Sequence, residues 1–139
     1  MHTIKVRGFH CDMFGHVNNA RYLEFLEEAR WEWLNKLGPF DFFERKKLSF
    51  VVVNININYK RPSILNDELR VDVVIKNIGN KSATIHQNIT RISDNKLVAD
   101  ADVTFALVDN VTGKAVELDE EIKEKLIMEN NGLTGFQNL

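Results

Sequence analysis

Two hydrophobic periods divide this chain. Over residues 20–37, Tyr22, Leu23, Phe25, Leu26, Ala29, Trp33, Leu34 and Leu37 fall on one broad arc of a helical wheel, and Glu24, Glu27, Glu28, Glu32, Asn35 and Lys36 fall opposite. That spacing predicts an amphipathic helix. Asn18 or Asn19 is placed to cap its start, and Gly38-Pro39 to stop it. A short second helix is predicted over 41–47, capped by Asp41. Beyond residue 48 the period falls to two. Val53, Ile55, Ile57 and Tyr59 alternate with Asn54, Asn56 and Asn58, the pattern of a half-buried antiparallel strand with one polar face. Leu69, Val71, Val73 and Ile75 alternate with polar residues in the same way. Strands over 82–92 and 97–108 follow, the second with Leu97, Ala99, Ala101, Val103, Phe105 and Leu107 on one face and Asp100, Asp102 and Thr104 on the other. Turns are expected at Gly79-Asn80-Lys81, Ser93-Asp94-Asn95-Lys96 and Thr112-Gly113.

Residues 3–10 read as a further strand at the start, with Ile4, Val6 and Gly8 on one face. Residues 119–128 read as a C-terminal helix, so a single domain is expected over 1–128 with a frayed tail over 129–139. The order of elements predicts an α+β fold: a curved antiparallel sheet whose apolar face wraps one long helix. Such a sheet leaves edges, and pairing sheets between subunits closes one of them.

Composition narrows function mainly by exclusion. The chain has 139 residues, enough for a core of its own, with 44% hydrophobic and 27% charged residues. A net charge of −2 gives no support for a nucleic-acid or membrane partner. Cys11 is the single cysteine, which excludes an internal disulfide and any multi-cysteine metal site. No segment reaches the length of a membrane span and no secretory signal is evident, so the default expectation is a cytoplasmic protein.

The chemistry concentrates in Asp12-Met13-Phe14-Gly15-His16-Val17-Asn18-Asn19, just ahead of the long helix. A carboxylate, a glycine and the unpaired N–H groups of a helix start lie within eight residues. This set suits attack on an activated carbonyl: Asp12 as base or nucleophile, helix N–H groups as oxyanion donors. A carboxylate at its ordinary pKa is a weak base, so walls such as Phe9, Met13 and Phe14 are expected to desolvate Asp12. Gly15 serves either close approach of a ligand or a turn with positive φ.

The block Asp12-x-x-Gly15-His16-Val17-Asn18-Asn19-Ala20-x-Tyr22-Leu23, with Glu28-Ala29-Arg30 further down the helix, resembles the hotdog-fold acyl-CoA thioesterases of the 4-hydroxybenzoyl-CoA thioesterase family. Ile4-Lys5-Val6-Arg7-Gly8 and the stretch from Phe50 to Tyr59 followed by Arg61-Pro62 extend the likeness toward long-chain acyl-CoA thioesterases, to about residue 127. The resemblance implies a hotdog homodimer or homotetramer that hydrolyses acyl-CoA, with sites completed at the subunit interface. It implies no metal or redox cofactor, water being the second substrate, and a role in clearing acyl-CoA during fatty-acid oxidation. Carried over residue by residue, it makes Asp12 the nucleophile or general base, the Asn19 backbone N–H the carbonyl-polarising donor, and Gly15 the active-site loop glycine.

Other residues are open to two readings. His16 is a supporting base or a loop histidine that steadies the turn. His10 and Cys11, adjacent on a strand, point to opposite faces and do not make a thiol–base pair; Cys11 reads as packing. His2 and His86 show no metal-ligand spacing. Arg30, inside the apolar arc, reads as a structural ion pair or as cover for the core, Trp33 as core, and Trp31 as a subunit contact. Phe14, Val17, Lys60, Arg61, Asn80, Lys81 and Ser82 are the substrate-contact candidates, the basic residues for CoA phosphates. Phe9, Phe14 and Phe25 are candidates for an acyl tunnel. The rival readings are a hotdog enoyl-CoA hydratase using Asp12 with His16, and a non-catalytic acyl-CoA-binding protein.

Overall fold

The computed structural model describes residues 1–36 and 40–131. Strand β1 (His2–Lys5) leads through a 3-10 turn at Gly8–His10 to helix α1 (Asn19–Lys36) and the short α2 (Phe40–Arg45). Strands β2 (Leu48–Tyr59), β3 (Glu68–Val71), β4 (Val74–Ile78), β5 (Ser82–Arg91) and β6 (Lys96–Asp109) follow, and α3 (Glu120–Asn131) ends the described chain. The strands form one antiparallel sheet in the order β1-β3-β5-β6-β2, with β4 also paired to β5. This is the α+β hotdog arrangement, the curled sheet holding α1 on its apolar face.

The core lies between α1 and the central strands. Tyr22, Phe25, Leu26, Ala29 and Trp33 meet inward residues of β5 and β6, among them Ile85, Ile89, Ala101, Val103, Phe105 and Leu107. An aromatic chain from Trp33 through Phe105 and Phe50 to Phe43 ties α1, β6, β2 and α2 together, with centroid separations of 6.1, 5.1 and 4.8 Å. Asp119 caps α3, its Oδ1 accepting the Ile122 N–H at 2.9 Å, and Ile122 and Leu126 are buried.

Three local expectations are corrected. The first strand stops at Lys5, because the chain turns at Gly8–His10 and the His10 ring nitrogen accepts the Arg7 N–H at 2.8 Å. The strand expected around residues 69–75 is broken between β3 and β4, although Leu69, Val71, Val73 and Ile75 all remain buried as the alternation requires. The third correction bears on function. β2 is not half-buried: Val51, Val52, Val53, Ile55 and Tyr59 are 36–59% exposed. It forms the sheet edge beyond β6, out of α1's cover, and a bulge between Val52 and Asn54 interrupts its register. Its asparagine face runs alongside the β6 acids, Asn58 donating to Asp100 at 3.1 Å. His86 and Lys76 extend that polar face through Asp102, at 2.7 and 2.6 Å.

The expected contributions of Leu37 and Gly38-Pro39 and the tail over 132–139 lie outside the described residues; α2 already begins at Phe40, so Asp41 is inside the helix rather than its cap, and α3 continues past residue 128 to Asn131. Among the described residues no helix is long and apolar enough to cross a membrane.

Candidate active site

The loop before α1 is built by its own backbone. Cys11 pairs with Val17, the Asp12 N–H donates to the His16 carbonyl at 2.8 Å, and the Gly15 N–H returns to the Asp12 carbonyl at 3.0 Å. Gly15 sits at φ +80°, and a Cβ there would meet nothing within 4 Å. Of the two readings of this glycine, the turn is the one the backbone requires: a tight turn closed by a left-handed residue. The Phe14 N–H donates to Asp12 Oδ1 at 2.9 Å and so orients the carboxylate over the turn. The buried Val17 pins the far side, its N–H held by the Ser63 carbonyl at 2.9 Å.

The same loop sets the helix start. Asn18 is the cap: its Oδ1 accepts the Ala20 N–H and its carbonyl the Arg21 N–H, both at 2.9 Å. The Asn19 N–H is left with no partner among the described residues. Tyr59, at the end of β2, donates its hydroxyl to the Asn19 carbonyl at 3.2 Å and fastens the strand end to the helix start.

These pieces surround one open cavity of about 450 Å³. Asp12, Phe14, His16, Val17 and Asn19 line it from the loop side, and Tyr22, Tyr59, Lys60, Arg61 and Pro62 from the other. The Lys60 and Arg61 N–H groups both donate to the Val98 carbonyl, at 2.7 and 3.0 Å, which brings two cations to the rim. Arg61 also gives one guanidinium N–H to the Leu97 carbonyl at 2.7 Å, whereas the Lys60 ammonium has no partner among the described residues. Tyr22 forms the floor, 3% exposed, and burial pushes its phenol up. Its hydroxyl lies beside Ser63 without a well-formed hydrogen bond, and Ser63 Oγ is equally buried and unpartnered. Tyr22, Tyr59 and Pro62 were not among the site residues read from sequence. The available signals were the place of Tyr22 within the Asn18-Asn19-Ala20-x-Tyr22 run and that of Tyr59 ahead of Lys60-Arg61.

Some expected site features are not brought together in the single chain. Asn80, Lys81 and Ser82 form the β4–β5 hairpin, with the Gly79 N–H on the Ser82 carbonyl at 2.7 Å. Ser82 pairs with Ala106, whereas Tyr59 beside Asp12 pairs with Ala99, so the hairpin lies at the opposite end of the sheet. The expected desolvating walls are also open: Phe9, Met13 and Phe14 are 69–89% exposed, and Asp12 is exposed. Phe25 is buried beneath the His10 ring rather than lining the cavity. His16 steadies the turn through its carbonyl; its ring makes no hydrogen bond among the described residues and faces the cavity.

Arg30 forms no ion pair among the described residues. Its guanidinium donates to Gln87 at 3.2 Å, and the fully buried Gln87 donates to the Leu26 carbonyl at 3.0 Å. Burial pulls Arg30 down, opposed by the charge of Glu27. Cys11 is half-buried against the core, as a packing residue. Among the described residues no group of three or more His, Cys, Asp or Glu is placed to hold a metal ion.

Comparison with known proteins agrees with this fold. The sequence matches the Thioesterase-like superfamily over residues 6–126. It is 49% identical over 123 residues to the long-chain acyl-CoA thioesterase FadM of Escherichia coli strain K12, covering 88% of this chain and 93% of that one. The crystal structure of YbaW, a probable thioesterase from Escherichia coli, superposes with a TM-score of 0.86 at 48% identity, covering 90% of this chain and 94% of the other. A thioesterase from Thermus thermophilus, complexed with coenzyme A and Zn, superposes at 0.79 with 27% identity, covering 93% and 92%. By its sequence and its fold, this chain belongs to the thioesterase-like superfamily.

Proposed function

We propose that this protein hydrolyses acyl-CoA thioesters to the free acid and CoA, with long-chain acyl groups preferred. One observation carries the reading: Asp12 and Asn19, whose backbone N–H has no partner among the described residues, line the same cavity. The first N–H groups of a helix carry partial positive charge. A thioester oxygen held there gains most when it becomes an oxyanion, and one such donor is worth about 3 kcal/mol in the transition state. Asp12 takes a proton from water as the water oxygen bonds to the carbonyl carbon. The intermediate collapses with cleavage of the C–S bond, and the proton passes to the CoA thiolate. Direct attack by Asp12 through a mixed anhydride gives the same products. In a single turnover in heavy-oxygen water, label in the Asp12 carboxylate identifies the anhydride route, with water attacking the Asp12 carbonyl carbon of the anhydride. The 49% identity to a protein named for long-chain acyl-CoA supports the substrate class.

The single chain leaves the site incomplete, and a second copy fits what is missing. β2 presents unpaired edge groups together with exposed Val51, Val53 and Ile55. Two-fold antiparallel pairing of β2 with its copy closes the edge and reverses the partner's sheet. The partner's Asn80-Lys81-Ser82 hairpin then comes to the Asp12 end, where Lys60 and Arg61 already stand. Substrate and partner together supply the desolvation that Asp12 lacks in one chain.

The test is thiol release from aromatic, short-chain and long-chain CoA esters, with Asp12→Ala alongside. Turnover that rises with chain length and is lost in Asp12→Ala is the expected result. Binding without thiol release favours an acyl-CoA-binding protein. Loss of enoyl-CoA absorbance without release favours hydration by Asp12 and His16.

A further inference from the structure

We infer that Tyr22 and Ser63 are a positioning pair whose hydroxyls join only in the reactive complex. Their hydrogen bond draws the loop over residues 62–64 onto the start of α1 and brings Asp12 up to the Asn19 N–H. This rests on the hydrolase reading above and adds two residues to that site, neither of which touches the reacting atoms.

The two hydroxyls are complementary and unused. Tyr22 lines the floor of the Asp12 cavity and Ser63 is fully buried, and neither hydroxyl has a partner among the described residues. Ser63 nevertheless turns both its hydroxyl and its backbone toward the phenol. Each hydroxyl can give one proton and accept another, so the pair needs no third group. Burial pushes the Tyr22 phenol up, so it keeps its proton at neutral pH. A buried hydroxyl that pairs with nothing destabilises a fold, and a ring without it would fill the floor at no such cost. Its place in the reaction cavity points to use during turnover. Hydrogen bonds that serve catalysis are often long or misaligned in a free enzyme and tighten once substrate is bound.

Each member of the pair is tied to one half of the site. The Ser63 carbonyl holds the Val17 N–H at 2.9 Å, and Ile64 pairs with His16. Val17 and His16 close the Asp12 turn, through the Cys11–Val17 pairing and the Asp12 N–H on the His16 carbonyl. The loop over residues 62–64 therefore carries Asp12. Tyr22 belongs to α1, within one turn of Asn19. Its ring lies 5.6 Å from that of Tyr59, whose hydroxyl holds the Asn19 carbonyl. Tyr22 therefore moves with the oxyanion donor. Joining the two hydroxyls sets the base against the donor, and a misplacement of about 1 Å between such groups costs about a hundredfold in rate.

The experiment is kcat and KM for palmitoyl-CoA, with Tm of the free protein, in the wild-type protein, Tyr22→Phe, Ser63→Ala and the double variant. Each single change should lower kcat by about tenfold, the size of one hydrogen bond, with KM moved by less than about twofold. The double variant should lose no more than either single one, because both remove the same bond. Tm should hold or rise in each, since the free chain uses neither hydroxyl. A pair that serves the fold alone gives the reverse, a lower Tm with kcat unchanged where the variants remain folded. That result overturns this inference alone, as do losses in kcat that multiply in the double variant. If one single variant fails to fold, the other decides by the same two readings. Absence of thiol release by the wild-type protein overturns the hydrolase reading, and this inference with it.

Discussion

Gly15→Ala isolates backbone strain at the active-site turn. Gly15 is at φ +80° and a Cβ there would meet nothing within 4 Å, so no clash contributes and the left-handed backbone is the whole effect. An alanine in that region costs about 1–2 kcal/mol. Part of this is offset because alanine also restricts the unfolded chain, by about 0.4–1 kcal/mol. The net expectation is a loss of about 1 kcal/mol, or about 4 °C in Tm for a domain of this size. Asparagine tolerates the left-handed region and should lose less than alanine, and the branched valine should lose more. Urea denaturation and Tm of Gly15→Asn, Gly15→Ala and Gly15→Val measure that order. The turn also carries Asp12, whose N–H is bonded to the His16 carbonyl. Thioester turnover at a temperature where all three remain folded should therefore fall in the same sequence. If Gly15→Asn is worse than Gly15→Ala, bulk rather than φ limits the position and the turn argument is wrong.

Gln87→Leu should cost about 2–3 kcal/mol, because it strips a largely buried guanidinium of its acceptor. The same change made in Arg30→Met should cost about 1 kcal/mol or less, so a urea-denaturation cycle should show coupling, and additive losses contradict the pairing. His2 joins β1 to α1 by hydrogen bonds to Glu32 at 2.7 Å and Glu28 at 2.9 Å. Burial disfavours its charged form, but the two carboxylates outweigh burial and raise its pKa above 6.5. Its stabilising contribution is thus fully present below pH about 6.5 and lost as pH rises through the elevated value. The Tm gap between the wild-type protein and His2→Gln should be clear near pH 6 and close by pH 9; a gap that widens with pH contradicts the assignment. Val53→Lys with Ile55→Lys should halve the particle mass seen by light scattering if β2 is the subunit interface, and an unchanged mass argues against it.

The fold was legible where burial follows a local period. α1 buries Tyr22, Phe25, Leu26, Ala29 and Trp33 of its predicted arc, and β5 and β6 bury most of their inner faces, because each is covered by one neighbouring layer; Leu23, on the same arc, lies at its margin and is 38% exposed. β2 shows the same alternation and stays exposed, since alternation records that a strand has two faces and not whether it lies centrally or at an edge. The 3-10 turn at Gly8–His10 depends on the His10 ring taking the Arg7 N–H, a side-chain bond that periodicity does not register. Asp12, Gly15 and Asn19 were legible as a site because they are neighbours along the chain. Tyr59 and Pro62 reach it only through pairing of β2 with β6, and the Asn80-Lys81-Ser82 hairpin is carried to the opposite end by the same sheet.

The central claim, that Asp12 and the start of α1 act together on a thioester, is tested most directly by thiol release from palmitoyl-CoA in Asp12→Asn. The substitution keeps the side chain's size and leaves an oxygen to accept the Phe14 N–H, so the fold should persist with an unchanged circular dichroism spectrum. A fall in kcat of about a hundredfold or more is the expected result for removing a base at this position. A folded Asp12→Asn protein that releases thiol at close to the wild-type rate contradicts the account.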